Sequence, residues 1–158
     1  MGKHSRGARP RLRSALAAVA LGMAGLGVGA VGTAYAGPDL VPGTPCTTVA
    51  HACVDLAAKQ AWLIENGSVR RGPVAISSGG PGHETPKGDF QVEWKNANHR
   101  STEYDGAPMP FAVFFAEGGI AFHEGRVDTP SAGCVRLGHD DASFFYDYLQ
   151  VGDPVQVH

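Results

Sequence analysis

KQAWLIENGSVRRGPVAIS, residues 59–77, sets two apolar runs around the pair Asn66-Gly67. Asn-Gly between such runs is the strongest short signal for a two-residue β-hairpin, because both turn positions need positive φ. The stretch therefore reads as two antiparallel strands. Outward from it the same grammar continues. SSGGPGHETPKG (77–88) is built of turn formers and reads as a loop. DFQVEW (89–94) reads as a further strand, and PFAVFFAEGGIAFHE (110–124) as a second hairpin turning at Gly118-Gly119. One segment breaks the pattern. DDASFFYDYL, Asp140 to Leu149, places Phe144, Phe145, Tyr148 and Leu149 at helical spacing, behind acids suited to cap the free N–H groups of a first turn. VGDPVQVH closes with a turn and a last strand. The fold class expected is mostly β with one short C-terminal helix.

The first 36 residues stand apart from this fold. MGKHSRGARPRLR is basic and free of acids, SALAAVALGMAGLGVGAVG is apolar, and Ala34-Tyr35-Ala36 is a small-x-small cleavage site. That is the layout of a secretory signal peptide. The boundaries expected are 1–36 for the signal, 37–51 for a Pro/Gly-bearing lead segment and 52–158 for the domain. Removing 36 of 158 residues leaves 122, one domain's worth. Lys3, Arg6, Arg9, Arg11 and Arg13 leave with the signal, so 8 of 13 bases remain against 15 acids, a formal charge of −7. An acidic exported domain is a poor binder of nucleic acid or of anionic membrane.

Three cysteines remain in a compartment that oxidises thiols. Cys46 and Cys53 flank TTVAHA and are placed to close a short loop that pins the lead segment. Cys134 is then left over, which in an exported protein means intermolecular pairing or a thiol kept for reactivity. A buried structural thiol is the plain alternative. No CxxC or HxxxH spacing accompanies it, so no metal and no cofactor are expected. His123 ends a predicted strand and Cys134 follows 11 residues later, after EGRVDTPSAG. A strand end and a returning loop bring imidazole to sulfur, which is what a thiolate nucleophile needs. Gly133 lacks a Cβ, so backbone N–H groups of its turn can approach a substrate carbonyl as an oxyanion hole. His83 and His99 fall in predicted loops and His139 just before the helix. None is given a metal role.

SAGCVRL (131–137) resembles the signature of the L,D-transpeptidase catalytic domain of YkuD type, usually written S-H-G-C followed by an apolar residue and Asn or Arg. Further stretches are similar in family order: ACVDLAAKQAWLIENGSVRRGPVAISSGG to its opening hairpin, TPKGDF to its T-P-x-G-x-F run, MPFAVFFAEGGIAFHEG to the strands leading to its histidine, and LGHDDASFFYDYLQVGDPVQV to its final helix and strand. The resemblance runs from about Ala52 to His158. It implies a β-sandwich or barrel and a cysteine acyl-enzyme that makes 3→3 peptidoglycan cross-links with release of D-alanine. Cys134 would be the nucleophile, His123 the base, and the Glu124 backbone carbonyl the group that orients the imidazole. Peptidoglycan stem peptides are the implied partners, at a bacterial wall, for a secreted monomer.

The chain also departs from the pattern. Ala132 stands where a second histidine is usual, the His123–Cys134 loop is short, and Glu124 replaces a small residue. A slow or hydrolytic L,D-carboxypeptidase and a non-catalytic wall-binding module of the same fold are therefore the alternative functions. A sortase is disfavoured because SAGCVR lacks a Thr-Leu-x-Thr lead, and papain-like enzymes place Cys before His. Among neighbouring residues, Arg136 either holds a substrate carboxylate or pairs with Asp140 or Asp141. Ser131 either donates to the reaction intermediate or satisfies its own turn. Tyr104, Met109 and Phe111 either line the donor pocket or belong to the core. Thr85, Pro86 and Gly88 are expected to form the turn that launches the next strand.

Overall fold

The computed structural model describes residues 39–158, and the expected signal peptide lies outside them. The elements in chain order are β1 (Ala52–Asp55), β2 (Gln60–Glu65), β3 (Ser68–Ser77), β4 (Gly88–Gln91), β5 (Trp94–Arg100), β6 (Pro108–Ala116), β7 (Ile120–Glu124), β8 (Val135–Leu137), α1 (His139–Tyr148) and β9 (Pro154–Val157). The strands form one nine-stranded sheet in the order β4-β9-β1-β2-β3-β8-β7-β6-β5. The mostly-β expectation holds. Both predicted hairpins are present, and their turns carry the positive φ the sequence demands: 51° and 73° at Asn66 and Gly67, 76° and 71° at Gly118 and Gly119.

DFQVEW is not one strand. It splits at Val92 and Glu93 into β4, which pairs with β9, and β5, which pairs with β6. These are the two edges of the sheet, so two residues of chain join its ends. Val92 donates to Asp153 O at 2.9 Å and accepts from Gly152 at 2.8 Å, while Glu93 donates to Phe114 O at 2.8 Å. The sheet therefore curls until its edges meet here, giving a half-barrel. β5 also takes in His99, which lies opposite Met109 rather than in the loop expected from sequence.

The curl encloses the main core. Leu63, Ile76, Phe115, Phe122 and Leu137 are sealed from solvent, and α1 contributes Ala142, Phe145 and Leu149. The helix is shifted one residue from expectation, with Leu149 as its C-cap. Its acids do not cap it: no side-chain cap bond is made, and Asp141 instead pairs with Arg71 at 2.7 Å. Phe144 is half-buried under the Arg71 guanidinium, and Tyr148 donates its hydroxyl to Ile64 O at 2.7 Å. Outside this core, Val41, Cys46 and Ala50 of the lead segment pack on Cys53, Trp62 and Ile64. The expected Cys46–Cys53 disulfide is formed, with Cα atoms 5.8 Å apart.

Phe122 sits at the centre of this packing, 4.7 Å from the Phe115 ring and 5.4 Å from the Phe145 ring. Phe122→Ala should lower the unfolding free energy by about 3–5 kcal/mol, measured by denaturant titration. A loss below about 1 kcal/mol would mean the core re-collapses around the cavity.

Candidate active site

β7 and β8 are parallel neighbours, with Phe122 opposite Val135 and His123 opposite Arg136. Side chains alternate along a strand, so this register sorts the residues onto two faces. Phe122, Val135 and Leu137 enter the core. Ala121, His123, Cys134 and Arg136 share the other face. Strand spacing puts the Cα atoms of His123 and Cys134 about 8 Å apart, a gap their side chains can close. Both open on one cleft of about 290 Å³, lined also by His99, Glu103, Tyr104, Met109, Phe114, Ser131, Ala132 and Arg136. A larger groove of about 1100 Å³, lined by Asp89, Phe90, Glu93 and Glu117, offers neither thiol nor imidazole. Size alone does not identify the site; its chemistry does.

The ring of His123 is buried and oriented. Nδ1 lies 2.7 Å from the Glu124 carbonyl, which can only accept, so Nδ1 carries the proton and the neutral ring keeps its basic lone pair on Nε2. Burial pulls the His123 pKa below the ordinary range, the Glu124 carbonyl bond opposes this, and the charges of Arg136 and His99 add to the lowering. Cys134 is the free cysteine, half-buried against Met109, Ala112, Phe114 and Ala121. Its thiol donates to Gly119 O at 3.6 Å. Burial pushes its pKa up and the Glu103 charge adds to this, while a backbone hydrogen bond from Ala121 and the Arg136 charge oppose it. With one pKa raised and the other lowered, the resting pair is thiol and neutral imidazole.

The turn before Cys134 is held from three directions. Ser131 donates its hydroxyl to Cys134 O at 2.5 Å and accepts from the Gly133 N–H at 3.1 Å, so it satisfies the turn's own backbone. The Gly133 N–H expected to line an oxyanion hole is thereby engaged. Its own site admits only glycine: φ is 122°, and a Cβ would lie 2.6 Å from Ile120 Cδ1. Ser131 also bonds the preceding loop, donating to Ser78 O at 2.9 Å and accepting from Gly80 at 3.1 Å. The third hold is Thr85, which sequence alone assigns only to a turn. Its buried hydroxyl donates to Gly133 O at 2.7 Å and accepts from the Gly79 N–H at 2.9 Å. A threonine within a turn-rich segment, next to proline, carries no local sign of a partner 48 residues away.

The remaining candidates divide. Arg136 lines the cleft, but its guanidinium is tied to Ser77 Oγ at 3.1 Å and to the Thr129 carbonyl, and it pairs with neither Asp140 nor Asp141. Tyr104 and Met109 line the cleft. Phe111 does not. Strand alternation puts residues 109, 111, 113 and 115 on one face, yet Met109 packs with Ala112 and Phe114 on the cleft side while Val113 and Phe115 enter the core. The face changes at Phe111, whose φ is 57°, and its ring turns to His139 and Tyr146 at 5.5 and 6.0 Å. The same twist brings His99 against Trp94 and Phe114, with ring centroids 5.3 and 5.0 Å away. This aromatic wall was not visible in the sequence, since Trp94 and His99 are five residues apart and of opposite parity.

Thr85→Val removes both hydroxyl bonds while keeping shape, leaving the Gly79 N–H and the Gly133 carbonyl unpaired. Its unfolding free energy should fall by about 2–3 kcal/mol, with Thr85→Ser close to the parent by thermal or denaturant melt. Parent-like stability of the valine variant would show that water replaces the hydroxyl.

The L,D-transpeptidase catalytic domain (YkuD) family model matches residues 50–157. Among solved structures, the chain is similar to an L,D-transpeptidase from Stackebrandtia nassauensis, with 29% identity, TM-score 0.63, and 68% of this chain and 54% of that one covered. An L,D-transpeptidase from Mycobacterium smegmatis shares 26% identity at TM-score 0.61, covering 68% and 57%. One from Xylanimonas cellulosilytica shares 25% at TM-score 0.65, covering 73% and 63%. An LD-transpeptidase solved in complex with imipenem shares 25% at TM-score 0.61, covering 68% and 57%. The chain thus spans little more than half the length of most of these proteins. No significant match to a curated protein is found. Because the family model runs over most of the chain and the solved relatives share its fold, the chain belongs to the L,D-transpeptidase catalytic domain family.

Proposed function

We propose that this chain is a cysteine-dependent L,D-transpeptidase that forms 3→3 cross-links between peptidoglycan stem peptides, at the wall and outside the cytoplasm, after a signal peptide at 1–36 is removed. The observation that carries the reading is the shared cleft of Cys134 and His123, with the imidazole held by the Glu124 carbonyl so that its basic nitrogen is Nε2. His123 Nε2 takes the Cys134 proton as sulfur attacks the carbonyl of the third, L-centred stem residue. The Gly133 N–H is engaged by Ser131, so the oxyanion donor at this turn falls to the adjacent Cys134 N–H. Collapse breaks the C–N bond, and the D-alanine amine leaves with the proton from His123, giving a thioester. The amine of a second stem then attacks that thioester, its proton passing to His123 and on to the departing sulfur. Arg136 and Tyr104 border this path, with Met109 forming apolar wall.

One observation favours a second reading. Ala132 is exposed on the cleft where the family usually has a histidine, leaving that side open to solvent. Water in place of the second amine makes the chain an L,D-carboxypeptidase, and mass analysis of stem products separates a shortened tripeptide from a cross-linked dimer.

The neighbour solved with imipenem supplies the probe. Intact mass after incubation with imipenem should show a single adduct on the parent protein, none on Cys134→Ala, and adduct formation slowed at least about 100-fold in His123→Ala. Undiminished adduct on Cys134→Ala would overturn the site. A folded parent protein that stays unmodified would favour the wall-binding module.

The pH profile follows from the resting protonation states. His123 accepts a proton only while neutral, and its pKa is lowered by burial. Acylation should therefore fall on the acid side with a midpoint below the ordinary histidine value of 6.5. A fall centred above pH 6.5 would show that the imidazole is not the depressed group.

A further inference from the structure

Glu124 is the last residue of β7 and serves two partners at once. Its carbonyl accepts from His123 Nδ1 at 2.7 Å, and its carboxylate meets Nδ1 of His139, the first residue of α1, at 2.9 Å. The His139 ring also meets the Phe111 ring, edge to face at 5.5 Å, and Phe111 is the residue held at a φ of 57° in mid-strand. A bulky residue in that backbone region is uncommon, and such strain gathers at functional sites. The Glu124–His139 pair is largely exposed, and exposed pairs add little to stability. Stability therefore does not account for an arrangement that fixes the residue next to the base. The cleft residue Glu124 joins the base on one side to the helix on the other.

We propose that His139 is a positioning residue for His123: by anchoring the Glu124 side chain to the start of α1, backed by Phe111, it fixes the carbonyl that holds the imidazole. This rests on the reading that His123 deprotonates Cys134. The anchor also has an electrostatic side. The charged groups around His139 are Glu124 from β7 and Asp140 from its own helix, while Phe111 of β6 and Tyr146 of α1 present rings near it. The Glu124 charge favours the protonated form of His123 and also raises the His139 pKa, and His139, when protonated, offsets that field. Without His139 the carboxylate acts on His123 alone, which raises the basicity of the imidazole while its ring is less firmly held.

The test is the rate of imipenem adduct formation against pH for the parent, His139→Ala, His139→Gln, Glu124→Ala and the Glu124→Ala/His139→Ala double variant. For His139→Ala the plateau rate should fall roughly tenfold, the lower end of the loss seen when a hydrogen-bond partner that orients a metal-bound imidazole is removed. Its acid limb should move to higher pH, the sign expected when a carboxylate loses its cationic partner. His139→Gln can still donate to Glu124 and should recover the plateau rate, and the double variant should lose no more than Glu124→Ala alone. An adduct-forming parent whose His139→Ala variant keeps both plateau and acid limb overturns this inference and leaves the proposed function standing. Adduct formation that does not depend on His123 overturns both.

Discussion

The parallel pairing of β7 with β8 is the constraint on which the site depends. It sets His123 opposite Arg136 and so places Ala121, His123, Cys134 and Arg136 on one face, with Phe122, Val135 and Leu137 locked into the core on the other. A one-residue slip would exchange the two sets, burying an arginine and exposing a leucine and a valine. The hydrophobic core thereby specifies which way the thiol and imidazole face. Parallel neighbours need a connection that returns the chain to the same end of the sheet, and residues 125–134 supply it by turning through Gly133.

That connection is held both by its own Ser131 and by contacts from outside itself. The Thr85 and Ser131 hydroxyls engage the Gly133 N–H and the carbonyls of Gly133 and Cys134, and the loop after β3 is drawn against the turn through Ser78 and Gly80. Cys134 thus follows a glycine whose N–H and carbonyl are both engaged, while its own carbonyl accepts from Ser131. The electrostatics agree with this economy. Burial raises the pKa of the thiol and lowers that of the imidazole, so at rest the proton stays on sulfur and the ring is neutral.

The pairing of β5 with β6 does the rest. It sets Trp94 opposite Phe114 and His99 opposite Met109, and the Trp94, His99 and Phe114 rings meet as one cluster. The left-handed step at Phe111 divides the same strand between two duties, with Met109 sent to the cleft and the Phe111 ring to the helix side, where it backs His139.

Local chemistry made a good part of this legible. Asn66-Gly67 and Gly118-Gly119 declare their hairpins because positive φ is a property of the residues themselves. The helical spacing of Phe145 and Leu149, the odd cysteine count and the ordered resemblance around SAGCVRL likewise require no knowledge of the fold. Other features depend on partners distant in the chain. DFQVEW looks like one strand because nothing in its six residues says that its halves pair with different neighbours. His99 looks like a loop residue until Met109 lies opposite it, and Thr85 looks like punctuation until Gly133 arrives to accept its hydroxyl. By itself the sequence determined which residues are the candidates for the chemistry and which turns the chain must make, since those follow from side-chain type and backbone preference. Only the tertiary structure decided which face each residue shows and what orients it, because facing is set by strand pairing and twist accumulated across the whole sheet.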